Sequence, residues 1–189
     1  MNLFDTINSY KPTNPQEAAD KELMLEFMTS NYDYLHRDNK LGHVTVSAWT
    51  VNKERTKVLM VHHNIYNSWS WVGGHADGMK NLAEVALKEL REETGIKCAE
   101  LVSEDIFSLE ILAVQGHLKK GEWVPSHLHY NVTYLIEADE NDLLQVQEEE
   151  NSAVKWWAFE DIAEASTEPW MINNIYHKLV LKTQGEQEL

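Results

Sequence analysis

Glu89, Glu92 and Glu93 stand at i, i+3 and i+4 in the stretch GGHADGMKNLAEVALKELREETGI, residues 73–96. On a helix that spacing gathers three carboxylates on one side. With Leu82 at zero and about 100° per residue, Val85, Ala86 and Leu90 mark out an apolar arc, and Glu89 (about 340°) and Glu93 (about 20°) fall inside it. Glu92, at about 280°, lies on its margin, while Lys88 and Arg91 point elsewhere, at about 240° and 180°. Like charges on a partly buried surface repel and raise one another's pKa. A hard divalent cation among them reverses the balance, because Mg²⁺ and Mn²⁺ prefer oxygen ligands. The competing reading is a solvated, Glu-rich helix in which Glu84 and Lys88 form an ordinary i,i+4 pair. The glycines favour the site: Gly73 and Gly74 let a backbone approach a ligand closely, and Gly95 stops the helix directly after the acids.

Such acids need a rigid mount. Asn81 is a good N-cap with Glu84 three residues on, and Gly95 suits the left-handed position past the end, so a helix is predicted from Asn81 to about Thr94. Before it, His43–Val51 and Lys57–His63 read as strands joined by the polar turn Asn52–Thr56, followed by a loop over Asn64–Ser70. After it, Ile106–Leu118 and His127–Ala138 read as long strands around a polar loop. Asp139–Glu150 is an acidic connection, residues 153–159 form a short strand, and Pro169–Lys182 carries a closing helix. Residues 16–35 look helical, with Leu23, Met24, Phe27 and Met28 as an apolar stripe. The order helix, strands, helix, strands, helix implies a mixed sheet with helices on both faces.

Composition bounds the function. A chain of 189 residues that is 43% hydrophobic can build one domain with a helical extension. Its formal charge of −15 works against a phosphate backbone, so no nucleic-acid partner is expected, although a metal could screen a small phosphorylated substrate. Cys98 is the sole cysteine, which excludes an internal disulfide and suits a reducing compartment. No signal peptide and no run of about 20 apolar residues is present, so a soluble cytoplasmic protein without a membrane partner is expected.

With its glycines and acids in register, the segment 74–96 resembles the box of the Nudix hydrolases, G-x5-E-x7-R-E-U-x-E-E-x-G-U, where U is a bulky aliphatic. Gly74, Glu89, Leu90, Glu92, Glu93, Gly95 and Ile96 match; Lys80 replaces the early Glu and Lys88 the Arg. Lys88 keeps the charge but loses the bidentate fork. The strands before the box and the segment Glu149–Ile162 extend the resemblance to about 42–162. It implies an α+β Nudix fold, an α/β/α sandwich with a mixed β-sheet and an added N-terminal helix. The chain would be one Nudix domain over 1–189, with a helical extension at 1–41, a core at 42–165 and a C-terminal helix at 166–189.

The resemblance also implies a metal-dependent hydrolase that cleaves the phosphoanhydride of a nucleoside diphosphate linked to another moiety. Mg²⁺, or Mn²⁺, would be held by Glu89, Glu92, Glu93 and the carbonyl near Gly74, with Lys88 orienting the acids. Glu92, Glu93, Glu149 and Glu150 are the candidate general bases. The small-molecule diphosphate would be the partner, with a homodimer possible by analogy. The alternative is a non-catalytic binding or regulatory protein on the same fold. A diphosphate isomerase would want a cysteine in the cleft, and Cys98 lies past the helix stop.

Histidines and tryptophans supply further candidates. His43, Thr45 and Ser47 share one strand face, and His127 and His129 share another; His75 lies beside the glycines. An H-x-H pair can bind zinc, but no third ligand stands near it in sequence, so hydrogen-bonded sheet histidines are the expectation and contacts to substrate the alternative. Trp71 could stack on a nucleobase, or pack near the glycine turn; Trp69 is similar.

Overall fold

The computed structural model describes residues 2–65, 67–119 and 121–185. Two helices open it, α1 (Leu3–Ser9) and α2 (Pro15–Ser30). At the start of α2 the Asn14 side chain accepts the Glu17 N–H, and Pro15, with no N–H to leave unpaired, takes the first helical position. The helix ends at Ser30, short of the predicted Leu35, and Leu23 faces solvent at 54% exposure. Met24, Phe27 and Met28 carry the burial instead, with Phe27 stacked on Tyr130 at 4.0 Å.

Strands β1 (Gly42–Asn52), β2 (Lys57–His63), β3 (Ser68–Ser70) and β4 (Val72–His75) lead to helix α3 (Leu82–Thr94). Then come β5 (Ala99–Leu101), β6 (Ser108–Val114), β7 (His117–Lys119), β8 (Glu122–Val124), β9 (His127–Ala138) and β10 (Asn151–Ala158). The short helices α4 (Ile162–Ala165) and α5 (Pro169–Met171) and a π turn at Ile172–Tyr176 precede α6 (His177–Gln184). The main sheet runs β10-β2-β1-β9-β5, with β3 on β2, β4 on β1 and β6 on β9. β1 and β9 pair in parallel from Gly42↔Leu128 to Asn52↔Ala138, and β4 and β6 pair antiparallel with them. The expected mixed sheet with helices on both faces is therefore present. The predicted strand Ile106–Leu118 is broken: Val114 pairs with His127, the first residue of β9, so beyond it no partner backbone remains and the chain turns into the β7–β8 hairpin.

Alternation along β1 builds two cores. Val44, Val46 and Ala48 face α3 and join Leu82, Val85, Ala86 and Leu90. Trp49 and Val51 face α6 and join Ile175, Tyr176 and Leu179. Trp49 also donates its indole N–H to Thr183 Oγ1 at 3.0 Å, which satisfies its polar atom in the core.

Toward its other end the α6-side face turns polar. Thr45 and Ser47 donate to Asn131 Oδ1 at 3.1 and 3.0 Å, Asn131 and Thr133 donate to Glu110 at 2.9 Å, and Lys178 Nζ reaches Glu110 at 3.0 Å. Glu17, fully buried on α2, accepts from Ser108 at 2.8 Å and Lys182 at 2.9 Å. Burial pushes the Glu17 carboxyl up, but Lys178 and Lys182 outweigh it and hold it at about 2. Buried charges persist only when paired, so this cluster fastens α2 to β6 and α6. On the outer edge of β6, Gln16 donates to Leu109 O at 3.0 Å and the Ile111 N–H donates to Asp20 at 2.9 Å, which closes an otherwise free strand edge. Among the described residues no helix is long and apolar enough to cross a membrane.

Candidate active site

Helix α3 is capped as its sequence requires. Asn81 accepts the Glu84 N–H at 3.4 Å, and Gly95, at φ 72°, returns its N–H to Arg91 O at 3.0 Å. Its buried residues are Leu82, Ala83, Val85, Ala86, Leu90, Glu93 and Thr94, so one glutamate does lie on the apolar arc. The glycines of β4 lie against this helix. A Cβ on Gly74 would sit 2.4 Å from Glu89 Cδ, so only glycine lets the strand and that carboxylate lie together.

Glu93 is 5% exposed. It accepts from Asn151 Nδ2 at 2.8 Å and from the Gly73 N–H at 3.3 Å. Burial raises its pKa, the Asn151 hydrogen bond opposes that, and the fields of Glu150 and Glu89 add to it, leaving the carboxyl pushed up to about 7. Glu89, mostly buried, is likewise raised by burial; Lys88 lowers it, and Glu92 and Glu150 push it back up. Glu92 is more open. Lys88 Nζ bridges Glu89 at 3.2 Å and Glu92 at 3.0 Å, and these contacts, that to Glu92 foremost, raise the pKa of the lysine. The Lys88 ammonium supplies the counter-charge between Glu89 and Glu92, whereas Glu93 is held separately by Asn151 and the Gly73 N–H.

Glu149 and Glu150 occupy an exposed turn, closed by the Glu150 and Asn151 N–H groups on Gln147 O at 3.1 and 2.9 Å, directly before β10. Of the pair, Glu150 is the one whose field reaches both Glu89 and Glu93. Asn151 went unnoticed in the sequence; its signal was a polar residue heading a strand immediately after the acidic turn. Lys80, which stands at the early box position, is exposed.

The histidines lie on the sheet with ring hydrogen bonds, as expected, but they also converge. His43 and His129 pair across β1 and β9, and His75 pairs with Thr45 across β4 and β1, so His43, His75, His127 and His129 gather on one face. Their rings lie 5.0–5.2 Å apart at the contacts His43–His75, His43–His127, His43–His129, His75–His129 and His127–His129. Burial lowers the pKa of His75 to about 3 and of His129 to about 2, so both rings are neutral. His43, at 3% exposure, is too deep for the substrate contact its strand position suggested. Stacking of Trp71 on a nucleobase also gives way to packing: it is 8% exposed and edge-on to Tyr176 at 5.8 Å. Trp69 packs edge-on to Trp157.

A mixed sheet between helices, with a glycine strand end laid on a capped helix that carries Glu89, Glu92 and Glu93, defines an α+β protein of the Nudix fold. The NUDIX domain family model matches residues 41–179, and the chain belongs to the Nudix hydrolase superfamily. Over 110 residues it is 34% identical to the m7GpppN-mRNA hydrolase NUDT17 of Xenopus laevis, a match covering 56% of this chain and 35% of that one. The chain thus spans about a third of that relative's length. A Caenorhabditis elegans Ap4A hydrolase in a binary complex aligns with a TM-score of 0.54 at 19% identity, over 75% of this chain and 95% of that one. The Nudix hydrolase RenU of M. smegmatis aligns with a TM-score of 0.55 at 14% identity, over 78% and 90%. At these identities the two structures bear on the fold alone.

Proposed function

We propose that this protein is a metal-dependent hydrolase that cleaves the phosphoanhydride of a nucleoside diphosphate linked to another moiety, or of a similar organic pyrophosphate. The observation that carries the reading is the setting of Glu93: a buried carboxyl held by Asn151 and a glycine N–H, with a pKa near neutrality and two further carboxylates in its field. Groups tuned this far from their ordinary range, in a built pocket of partners, mark catalytic sites.

The donor set fits a hard cation. It is all oxygen, Gly74 leaves no room for a side chain between strand and Glu89, and the buried Asn151 Oδ1 has no hydrogen-bond partner among the described residues. Glu89, Glu92, Glu93 and the Gly74 carbonyl would hold Mg²⁺ or Mn²⁺. Bound there, the ion would offset the diphosphate charge and lower the pKa of a coordinated water. The chain's own groups do the rest. Lys88 fixes Glu89 and Glu92, Asn151 and Gly73 hold Glu93 in one orientation, and Glu93 or Glu150 takes the proton of the attacking water.

We read the chain as one domain, with residues 1–41 an extension fastened by the Glu17 cluster, 42–165 the core and 166–189 the C-terminal segment, whose last four positions, 186–189, lie outside the described residues. A small substrate agrees with the charge of −15, and the exposed lone Cys98 agrees with a reducing cytoplasm. A homodimer is the further expectation.

The test is phosphate release from a panel of nucleoside diphosphate derivatives, dinucleoside polyphosphates and a cap dinucleotide, with Mg²⁺ or Mn²⁺. Turnover that EDTA abolishes is expected. Tight binding of one compound without turnover on any would instead establish the regulatory alternative.

A further inference from the structure

We propose that His43, His75 and His129 form a second metal site, for a borderline divalent ion of the zinc class, on the face of the sheet opposite the glutamates. One ring nitrogen from each lies within 4.8 Å of the others. A tetrahedral zinc with Zn–N bonds of about 2.0–2.1 Å spaces its nitrogens about 3.4 Å apart, so small ring rotations complete the geometry. Side-chain alternation keeps the two sites separate: a Cβ on Gly74 would point at Glu89, whereas His75, the next residue, shares its face with Thr45 and Asn131.

Two observations make this a ligand set and not a chance gathering. First, the outer nitrogen of one ligand is already tied to a backbone carbonyl: His43 Nδ1 donates to Asn39 O at 3.2 Å. That is the arrangement by which metal-binding histidines have their tautomer and ring orientation fixed. Second, it leaves His43 Nε2 buried with no hydrogen-bond partner among the described residues. A deeply buried imidazole nitrogen bearing a lone pair and facing two other imidazoles is what a zinc-class ion takes, whereas Mg²⁺ prefers oxygen. His127 Nε2 stands 3.1 Å from His129 Nε2 and, with its own Nδ1 donating to Pro125 O, accepts the His129 Nε2–H, which holds the His129 ring and leaves its Nδ1 as the lone-pair nitrogen. Three protein ligands leave the fourth position for water or an anionic oxygen. The site would clamp β1, β4 and β9 together at the end where β4 delivers Gly74 to Glu89. It stands whether or not the glutamates turn over a diphosphate.

The test uses the untagged full chain, stripped with chelator and then titrated with Co²⁺ and Zn²⁺ in excess Mg²⁺, which occupies the carboxylate site. One equivalent of Co²⁺ should bind with the visible absorption of nitrogen-rich tetrahedral coordination, and Zn²⁺ should displace it. His43→Ala and His129→Ala should weaken binding at least about 100-fold. His75→Gln, at a partly buried position on the short strand β4, should do the same with an unchanged circular dichroism spectrum. Glu89→Gln should leave Co²⁺ binding intact. No stoichiometric binding in the folded wild type, or binding that survives His75→Gln yet is lost in Glu89→Gln, would overturn the assignment.

Discussion

Gly74→Ala isolates the geometry of the glutamate site from its chemistry, because it removes no charge and no ligand. An added methyl carbon would lie 2.4 Å from Glu89 Cδ, 2.5 Å from Oε2 and 2.8 Å from Cγ, whereas ordinary contact begins at 3.4 Å. The Glu89 carboxylate must therefore retreat by about 1 Å. It can do so, since it is the far end of a flexible side chain, and the fold should tolerate the change. A displacement of about 1 Å within a catalytic constellation is enough to cost about 100-fold in rate. The expected result is a fall of that order in kcat/KM, a weaker Mg²⁺ requirement curve and a Tm close to wild type. Gly73→Ala is the contrasting control. Its methyl would meet the backbone oxygen of Val46 at 2.6 Å, so β1 itself must shift, and stability should drop by about 1–3 kcal/mol. Kinetics and Mg²⁺ titration, paired with thermal melts, separate the two. A Gly74→Ala enzyme with undiminished activity and metal affinity would show that Glu89 does not serve where the structure places it.

Other consequences are equally concrete. Glu93→Gln keeps the Asn151 and Gly73 partners near an isosteric group but removes the titratable proton site, so kcat should fall by at least about 100-fold in a single-turnover assay, with folding intact. Lys88→Ala frees Glu89 and Glu92 from their shared cation and should raise the Mg²⁺ concentration for half-maximal rate rather than abolish turnover. Glu17→Gln leaves Lys182 buried without its carboxylate and should lower unfolding stability by about 3 kcal/mol in urea titrations. The same residue sets an acid dependence. The Glu17 pKa drops from 4.5 unfolded to about 2 folded, so the folded state binds fewer protons between those values. Its contribution, on the order of 3 kcal/mol, is present above pH 4.5 and lost as pH falls toward 2. Wild type should therefore lose more stability than Glu17→Gln over that interval, and equal losses would refute the pairing.

How much of this could be read along the chain depends on the sequence range of each interaction. The cap at Asn81, the stop at Gly95 and the glutamate spacing are local to one helix, and the structure reproduces them. The polar turn between β1 and β2 and the long β9 likewise follow from alternation and turn residues within a few positions. What stayed hidden depends on register between distant strands. His43 and His129 are 86 residues apart, and only their direct pairing in a parallel ladder, with β4 laid on the other side of β1, puts four histidines on one face. An H-x-H motif by itself names two ligands and no geometry. The Glu17, Glu110, Lys178 and Lys182 cluster was hidden in the same way, since each residue alone looks like a solvated charge. The one local sign was Glu110 in the middle of a strand, with Leu109 and Ile111 on either side, where a charge must find a buried partner or be expelled. Register also decides why the two candidate metal sites stay chemically distinct: β4 turns successive residues to opposite faces, so Gly74 lies against the Glu89 carboxylate and His75 against the rings of His43 and His129. A one-residue slip of β4 on β1 would exchange those faces and abolish both sites at once.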